Sequence, residues 1–360
     1  MISPVCICYD RQHRSRTTVS MRPHKILPPE PGGWQQIQAQ ALRDPRQLLQ
    51  RLHLPETLLG GLTQASNSFN LRIPEPYLLR IEPGNVNDPL LRQVLPDPAE
   101  LQPATGYTCD PVGDTAAHPL PGLLHKYHGR ALIITTAACG IHCRYCFRRH
   151  YPYQDDRLSE SHWQQILAYL HHDTGLSEVI LSGGDPLSLS DARLHKQIQD
   201  LSQIPHLQRL RIHTRQAIVI PQRITAELLQ ALTRTRLQIV LVVHANHARE
   251  LDQTVAAAMY QCKQAGITLL NQSVLLRGVN DDADSLCQLS ERLFACGILP
   301  YYLHRLDRVQ GAAQFEVSTE QARLLLQEVR RRLPGYLVPK MVLEQAGAAY
   351  KLPQDGEQEV

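Results

Sequence analysis

The amino-acid sequence predicts an α/β fold: a partial, three-quarter barrel of the TIM type, built from six parallel βα units and preceded by a helical extension. Two observations carry this prediction. Six short apolar runs alternate with helical patterns from residue 131 onward, and such continuous apolar strands are typical of a parallel sheet covered on both faces. Since a closed barrel of this type needs eight units, six predict an open one.

The predicted strands and helices follow one another without interruption. The strands are expected at residues 131–136, 178–181, 207–212, 237–243, 267–275 and 299–303. Helical periodicity occupies residues 161–171, 191–203, 225–235, 249–264, 282–296 and 318–332. An amphipathic stretch at 34–60 predicts N-terminal helical structure, and the proline after Asp44 marks a helix start.

Four segments are expected along the 360 residues. Residues 1–20 are predicted to be a disordered tail or a mis-assigned start, with Met21 as the true first residue. Residues 21–124 form an N-terminal helical and wrapping segment, residues 125–315 the core barrel, and residues 316–360 a C-terminal segment.

Composition excludes several classes of protein. No apolar run approaches the roughly 20 residues of a membrane helix, and a net charge of +3 does not indicate a nucleic-acid partner. The nine cysteines are odd in number and scattered, which argues against a disulfide framework. We therefore expect a cytoplasmic protein with no membrane and no direct nucleic-acid partner.

Polar residues able to do chemistry follow the predicted strands. They are Cys139 to His150 ("CGIHCRYCFRRH"), "SGGD" (182–185), "HTR" (213–215), "HANH" (244–247) and "HRLD" (304–307). In parallel barrels the active site is built at these carboxyl ends of the strands. The repetition predicts an enzyme site at that end of the barrel.

Three cysteines lie close together in the first of these segments, at Cys139, Cys143 and Cys146. A structural zinc site needs four ligands, which His142 or His150 could complete to give a zinc knuckle that binds RNA. A [4Fe–4S] cluster held by only three thiolates would instead leave one iron open to a small molecule. Both interpretations remain possible from the cysteines alone.

The spacing of these cysteines, directly after the first barrel strand, resembles that of the radical SAM superfamily. Longer blocks resemble the lysine 2,3-aminomutase family over roughly residues 85–355. They are "PGLLHKYHGRAL" (121–132), "CRYCFRRHYPY" (143–153), "SGGDPL" (182–187), "NQSVLLRGVND" (271–281) and "PYYLHRLDRVQGAAQF" (300–315). Within the family the chain is most similar to the short proteobacterial branch, which makes (R)-β-lysine from (S)-α-lysine for attachment to elongation factor P.

The resemblance implies an isomerase, an L-lysine 2,3-aminomutase that uses a [4Fe–4S] cluster, S-adenosyl-L-methionine (SAM) and pyridoxal 5′-phosphate (PLP). In the family, a SAM-derived 5′-deoxyadenosyl radical takes hydrogen from lysine bound as a PLP aldimine, and the amino group moves from Cα to Cβ. The PLP lysine would be Lys351, with Lys340 as the competitor. The metal ligands would be Cys139, Cys143 and Cys146.

The same resemblance implies roles for other side chains. Arg148 would bind the substrate carboxylate, while Asp307 and Glu344 would bind the ε-ammonium, Glu344 standing where the family has an aspartate. The implied cofactor contacts are Ser182, Gly183, Gly184 and Asp185 for SAM, His244 and Gln272 on the SAM or cluster side, Arg130 and Lys126 near the PLP phosphate, and His304 beside the PLP ring.

The resemblance also implies partners for this protein, and other functions compete with the one it implies. The implied partners are L-lysine, a reductase such as flavodoxin, and a functional link to elongation factor P and its lysyl ligase. Asp282 stands where fermentative members place a zinc-binding cysteine, so their intersubunit zinc is not expected. The alternatives are an aminomutase for arginine or glutamate, a zinc-knuckle RNA-binding protein, and a SAM-dependent maturase without PLP. The acid pair Asp307 and Glu344 argues against glutamate.

Overall fold

A computed structural model describes residues 33–156 and 158–354; the expectations for residues 1–20 and Met21 lie outside them. One sheet organises the described chain, with its strands adjacent in sequence order. The strands are β1 (Leu123–Tyr127), β2 (Arg130–Thr136), β3 (Glu178–Gly183), β4 (Arg209–Thr214), β5 (Gln238–Val243), β6 (Thr268–Val274), β7 (Leu299–His304), β8 (Lys340–Leu343) and β9 (Leu352–Pro353).

Strands β2 to β8 run parallel, and β1 and β9 pair antiparallel at the two edges. The six predicted strands correspond to β2–β7. Within the described residues β1 and β9 are not paired with each other, so the barrel is open, as predicted. Strand β8 adds a seventh parallel strand, from a run of four residues that is too short to give a periodic signal.

Helices cover the outer face of the sheet. They are α6 (Glu160–His172), α7 (Asp191–Ser202), α8 (Gln216–Val219), α9 (Ala226–Thr233), α10 (Gln253–Gln264), α11 (Ala283–Ala295) and α12 (Thr319–Arg332). The longer ones begin at capping side chains that accept a backbone N–H, which satisfies donors left free at a helix start. Asp282, for example, accepts from Ser285 N at 2.8 Å and starts α11.

The N-terminal segment contains α1 (Gly33–Ala39), α2 (Pro45–Arg51), α3 (Leu59–Ser68), α4 (Glu75–Leu78) and α5 (Pro89–Arg92). The helical stretch predicted at 34–60 is therefore interrupted. Pro45 cannot continue a helix from its N-terminal side, so the chain leaves α1 and restarts where Asp44 accepts from Arg46 N at 2.9 Å. The predicted start at Asp44 is observed.

Two of the apolar cores in the described chain fix the positions of these layers. The larger fills the space between the sheet and its outer helices, around Ile133, Leu181 and Ile212. A second joins the N-terminal helices to Ile141 in the cysteine loop and to Val219 in α8. The N-terminal segment thus packs directly against the loop that carries the cysteines. In the described part of the chain, every helix is too short or too polar to cross a bilayer.

Candidate active site

One cavity of about 580 Å³ occupies the inside of the barrel, a size typical of sites for small ligands and cofactors. Every site residue predicted from the sequence lines it. They are Cys139, Cys143, Cys146, Arg148, Ser182, Gly183, Gly184, Asp185, His244, Gln272, His304, Asp307, Glu344, Lys351, Lys126 and Arg130. The competitor Lys340 does not line it and is exposed at the start of β8.

The three cysteines lie in the loop that follows β2, and none is in a disulfide. Burial raises the pKa of all three thiols, that of Cys146 to about 11, with Cys143 adding to the effect. Within the described ranges, no three His, Cys, Asp or Glu side chains are arranged to hold a single metal ion. A cubane cluster places each thiolate on a different iron, so three half-buried thiols that line one cavity suit it as a donor set.

The cysteine loop is fastened to the N-terminal segment by backbone and side chains. His142 N donates to Arg72 O at 3.0 Å, and Arg144 N donates to Gln93 O at 2.9 Å. The Arg144 guanidinium is fully buried and pairs with Glu100. These bonds set the path of the loop without using any thiol.

Gly183 and Gly184 form a cradle for this loop. Gly183 has φ +112°, and a Cβ there would lie 2.8 Å from Thr136 O. A Cβ on Gly184 would lie 2.5 Å from Ala138 O, closer than a carbon and an oxygen can approach. The glycines are thus required by the close approach of the loop backbone, as well as leaving room at the cavity wall.

Asp185 joins the ends of two strands. Its carboxylate accepts from Thr214 Oγ1 at 2.7 Å and from the backbone of Arg215 and Gln216 at 2.7 Å each. It also accepts from Leu187 N at 3.0 Å. Although the residue lines the cavity, its oxygens are committed to holding the segment after β4 beside the end of β3.

Two of the histidines that line the cavity are His244, directly after β5, and His304, at the end of β7. Gln272 Nε2 lies 2.9 Å from Nε2 of His244, and since an amide nitrogen only donates, the histidine nitrogen accepts. Burial, followed by the charges of Arg215 and Arg148, lowers the pKa of His244 to about 3. Burial likewise lowers the pKa of His304 well below its usual range, and its buried Nε2 has no hydrogen-bond partner among the described residues.

The β8–β9 hairpin brings Lys351 and Glu344 together. Leu343 pairs with Leu352, so the next residues outward, Glu344 and Lys351, oppose each other in the same register. The Lys351 ammonium forms an ion pair with Glu344 Oε2. Burial alone would raise the pKa of Glu344, but Lys351 and then Lys126 lower it. The carboxyl is therefore ionised in the cavity.

Arg148 is buried, with 8% of its surface exposed. Its Nε donates to Asp114 Oδ2 at 2.8 Å and its Nη1 to Ser182 Oγ at 3.2 Å. Nη2 has no hydrogen-bond partner among the described residues, so its N–H groups are available for a ligand. Arg130, at the start of β2, lies over the ring of Tyr127 at 4.6 Å.

Asp307 follows β7 and is the least satisfied acid of the site. Its Oδ1 is buried without a hydrogen-bond partner among the described residues. Burial, followed by the negative charge of Glu344, raises its pKa to about 7. An acceptor in this state would gain from a cationic group placed against it.

Sequence reasoning assigned no specific role to several residues that the structure brings into the cavity. Asp114 pairs with both Arg148 and Lys126, but it lies in the irregular segment before β1, where no periodic or motif signal marks it. His213 and Arg215 also line the cavity, as the position of the "HTR" segment at the end of a strand predicted, although no specific role was assigned to them.

The comparisons with known proteins give first the class and then the family. The sequence profile of the radical SAM superfamily matches residues 133–289, so the open barrel and its cysteine loop are those of a radical SAM enzyme. The L-lysine 2,3-aminomutase of Haemophilus influenzae is 47% identical over 332 residues, which are 91% of this chain and 98% of that protein. That of Escherichia coli is 47% identical over 324 residues, 89% and 94% respectively.

A third relative is more distant. The L-lysine 2,3-aminomutase of Clostridium subterminale is 34% identical over 294 residues, 81% of this chain and 70% of that protein. The chain belongs to the L-lysine 2,3-aminomutase family. The predicted superfamily, family, fold class and enzyme class, an isomerase, are thereby confirmed, and the family supports the predicted [4Fe–4S], SAM and PLP cofactors.

The zinc-knuckle alternative gains no support from this assignment. His142 and His150, its possible fourth ligands, each have one ring nitrogen on a backbone carbonyl. The acceptors are Asn70 O at 2.8 Å and Gln310 O at 3.0 Å.

Proposed function

We propose that the protein is an L-lysine 2,3-aminomutase that converts (S)-α-lysine to (R)-β-lysine. The observation that carries the choice of substrate is the buried Oδ1 of Asp307 beside Glu344, which has no hydrogen-bond partner in the described part of the chain. Two acids at one place suit a cationic end group, and Arg148 with its free Nη2 suits a carboxylate. A substrate with a carboxylate and an ammonium satisfies both.

The proposed cofactor sites follow the cavity lining. Cys139, Cys143 and Cys146 would hold the cluster. The SAM contacts would be Ser182, Gly183, Gly184, His244 and Gln272, and Asp185, whose carboxylate holds the segment after β4, would shape this side of the site. When bound, the cluster and SAM supply a carbon radical, and PLP supplies a π system that carries the migrating amino group.

The PLP site would lie around Lys351, the lysine that lines the cavity beside Glu344. Arg130 and Lys126 would provide positive charge for the phosphate, and His304, neutral and unpartnered at Nε2, would lie against the ring. The Lys126 ammonium is already bound by carboxylates, so its contribution would be charge and not a direct bond.

The remaining side chains would bind, orient and exclude water. Arg148 would hold the carboxylate with a planar pair of N–H groups, which fixes the orientation of Cα and Cβ. Asp307 would accept the ε-ammonium and lose its proton as that cation arrives. Glu344 binds Lys351 in this structure, so the substrate ammonium and Lys351 would share one carboxylate.

The test is conversion of L-lysine by protein purified without oxygen, with its cluster reconstituted and PLP, SAM and dithionite added. We expect β-lysine, identified by mass spectrometry after derivatisation, and its loss in Cys143→Ala. Cys109→Ala is the matched control, because Cys109 is a free, exposed cysteine outside the cavity, and it should retain activity. SAM cleavage without β-lysine would contradict the substrate and leave the superfamily intact; arginine would then be tested.

We further propose that the β-lysine is destined for elongation factor P, through a lysyl ligase, and that a flavodoxin-type reductase supplies electrons. Support comes from similarity: the chain is 47% identical to the H. influenzae relative over 98% of that protein, and 34% identical to the clostridial one over 70% of it. Adding elongation factor P and its ligase to the reaction should give a lysyl mass increment on the factor with the enzyme's product. A ligase that prefers α-lysine would contradict this link.

A further inference from the structure

Asp114 occupies a position between the two ends of the proposed substrate site. It lies in the segment before β1 and has 2% of its surface exposed. Its Oδ2 accepts from Arg148 Nε at 2.8 Å, and its Oδ1 pairs with Lys126 Nζ at 2.5 Å. Its backbone N donates to Asp110 Oδ1 at 2.8 Å, which fixes the turn that presents the carboxylate.

Lys126 carries this contact further. Its ammonium has three hydrogens, and three acceptors surround it: Val112 O at 2.9 Å, Asp114 Oδ1 at 2.5 Å and Glu344 Oε1 at 3.3 Å. Glu344 in turn pairs with Lys351. Charges of alternating sign therefore run from Arg148 through Asp114, Lys126 and Glu344 to Lys351.

This chain of charges also spans the opening of the barrel. Lys126 lies on β1 at one edge of the sheet, and Glu344 follows β8 near the other. The backbone supports the same approach, because a Cβ on Gly113 would lie 2.8 Å from the Ala346 side chain. The segment that carries Asp114 is thus pressed against the β8–β9 hairpin.

We propose that Asp114 is a positioning residue that holds Arg148 and Lys126 in the arrangement that binds lysine. Engaging Nε of Arg148 turns the Nη edge of the guanidinium toward the cavity. Holding Lys126 between two carboxylates prevents it from neutralising Glu344 alone. The proposal rests on the proposed function, because it takes Arg148 and Glu344 as the groups that bind the two ends of the substrate.

Electrostatics supports a permanently charged Asp114. Burial alone would raise its pKa, but the charges of Arg148 and then Lys126 lower it to about 2. Lysine carries one charge of each sign at its two ends. Removing the negative charge of Asp114 would therefore strengthen the electrostatic binding of the carboxylate and weaken that of the ammonium. These two Coulomb effects oppose each other, so the loss of orientation dominates the change in affinity.

The test is the affinity for L-lysine of Asp114→Asn, loaded with cluster, PLP and SAM but without reductant, measured by equilibrium dialysis. Loss of hydrogen bonds to charged groups predicts about 10-fold or more weaker binding. The iron and PLP contents should stay at the wild-type level. In turnover, KM should rise more than kcat falls, and Asp114→Glu should restore part of the affinity.

Asp252→Asn is the matched control. Asp252 also pairs with a partly buried arginine, Arg80 at 2.9 Å, but lies outside the cavity, so lysine affinity should be unchanged. Wild-type affinity in Asp114→Asn would overturn the role of Asp114 alone. Loss of iron and PLP together with lysine binding would mark a merely structural residue and also overturn it. A wild-type protein that binds no lysine would overturn the proposed function itself and this inference with it.

Discussion

Glu344 and Lys351 form an ion pair across the β8–β9 hairpin, at the pair of positions next to the Leu343–Leu352 pair. Two residues that are seven apart in sequence thus meet because of strand register. The contact keeps the amine of Lys351 inside the cavity and beside an acid, where it can be released to a carbonyl group. Lys340, at the other end of β8, points to solvent.

The first prediction concerns the lysine that binds PLP. Reduction of the PLP-loaded protein with borohydride should fix the cofactor on the peptide that contains Lys351, as read by peptide mass mapping. Lys351→Ala should lose this adduct and lower activity by about a thousandfold or more, because no other side chain would supply the covalent attachment. The control Lys340→Ala should keep both. An adduct on Lys340 would contradict the assignment.

The second prediction concerns the pH dependence of lysine binding. Asp307 must be ionised to accept an ammonium, and burial, followed by Glu344, raises its pKa to about 7. Lysine affinity should therefore increase about tenfold per pH unit as pH rises toward 7 and then level off. Isothermal titration in buffers of different ionisation enthalpy should detect proton release. Asp307→Asn should bind more weakly and without this slope; an unchanged slope would contradict the role.

The third prediction follows from the same pKa but concerns stability. Between about pH 4 and pH 7 the folded protein holds a proton on Asp307 that the unfolded chain has lost, so the free energy of unfolding falls as pH rises across this window. The groups acting on it are Glu344, Lys351, Lys126 and Asp114. Asp307→Asn should gain on the order of a few kcal/mol relative to wild type at pH 8 and little at pH 4. Urea unfolding at pH 4 and pH 8 measures the free energy of unfolding of both proteins. An equal gain at the two pH values would contradict the raised pKa of Asp307 as its cause.

The fourth prediction concerns the cradle under the cysteine loop. In Gly184→Ala the new Cβ would lie 2.5 Å from Ala138 O and 2.7 Å from Ala137 C. These are backbone atoms, so the loop has to move, and iron bound after reconstitution should fall to less than about half. Gly60→Ala is the control, since its Cβ would meet no atom within 4 Å, and it should gain about 0.5–1 kcal/mol in stability. Full iron content in Gly184→Ala would contradict the requirement for glycine at this position.

The fifth prediction concerns the buried acid under the same loop. Glu100 pairs with Arg144 at 2.5 Å and Arg149 at 2.7 Å, all with side chains at most 1% exposed. Glu100→Gln would leave two buried guanidinium groups uncompensated and should reduce the free energy of unfolding by about 3–5 kcal/mol. Glu75→Gln, which breaks a half-exposed pair with Arg51, should change it by less than about 1 kcal/mol. If urea unfolding gave similar losses of free energy for Glu100→Gln and Glu75→Gln, burial would not determine the contribution of the ion pair.

The parallel strands could be predicted because burial on both faces leaves a continuous apolar run, as in Gln238–Val243. The helices could be predicted from periodicity and caps, as at Asp282. The cavity lining followed from one rule, that polar residues at carboxyl ends of strands converge, and from the resemblance to a family for residues such as Lys351. These patterns involve residues close together in the sequence, so they can be recognised without knowledge of the structure.

The features that could not be predicted depend on contacts between segments that are distant in sequence, and no local sequence pattern indicates such contacts. Asp114 meets Arg148 and Lys126 only after the segment before β1 folds over the barrel opening. The pairing of β9 with β8 involves two residues, Leu352 and Pro353, which carry no strand pattern. The hydrogen bonds that occupy the Asp185 oxygens also come from the next βα unit.

The β8–β9 register has a consequence for the turn that joins the two strands. Residues 345–350, "QAGAAY", form this turn, and the pairing of Leu343 with Leu352 places Lys351 opposite Glu344. Only Gly347, with φ +78°, needs the freedom of glycine for the turn. Sequence drift in the other connecting residues is therefore neutral for the ion pair. A one-residue insertion between Lys351 and Leu352 would instead move Lys351 out of register with Glu344 if Leu352 stays paired with Leu343, so selection should act on this spacing more than on the composition of the turn.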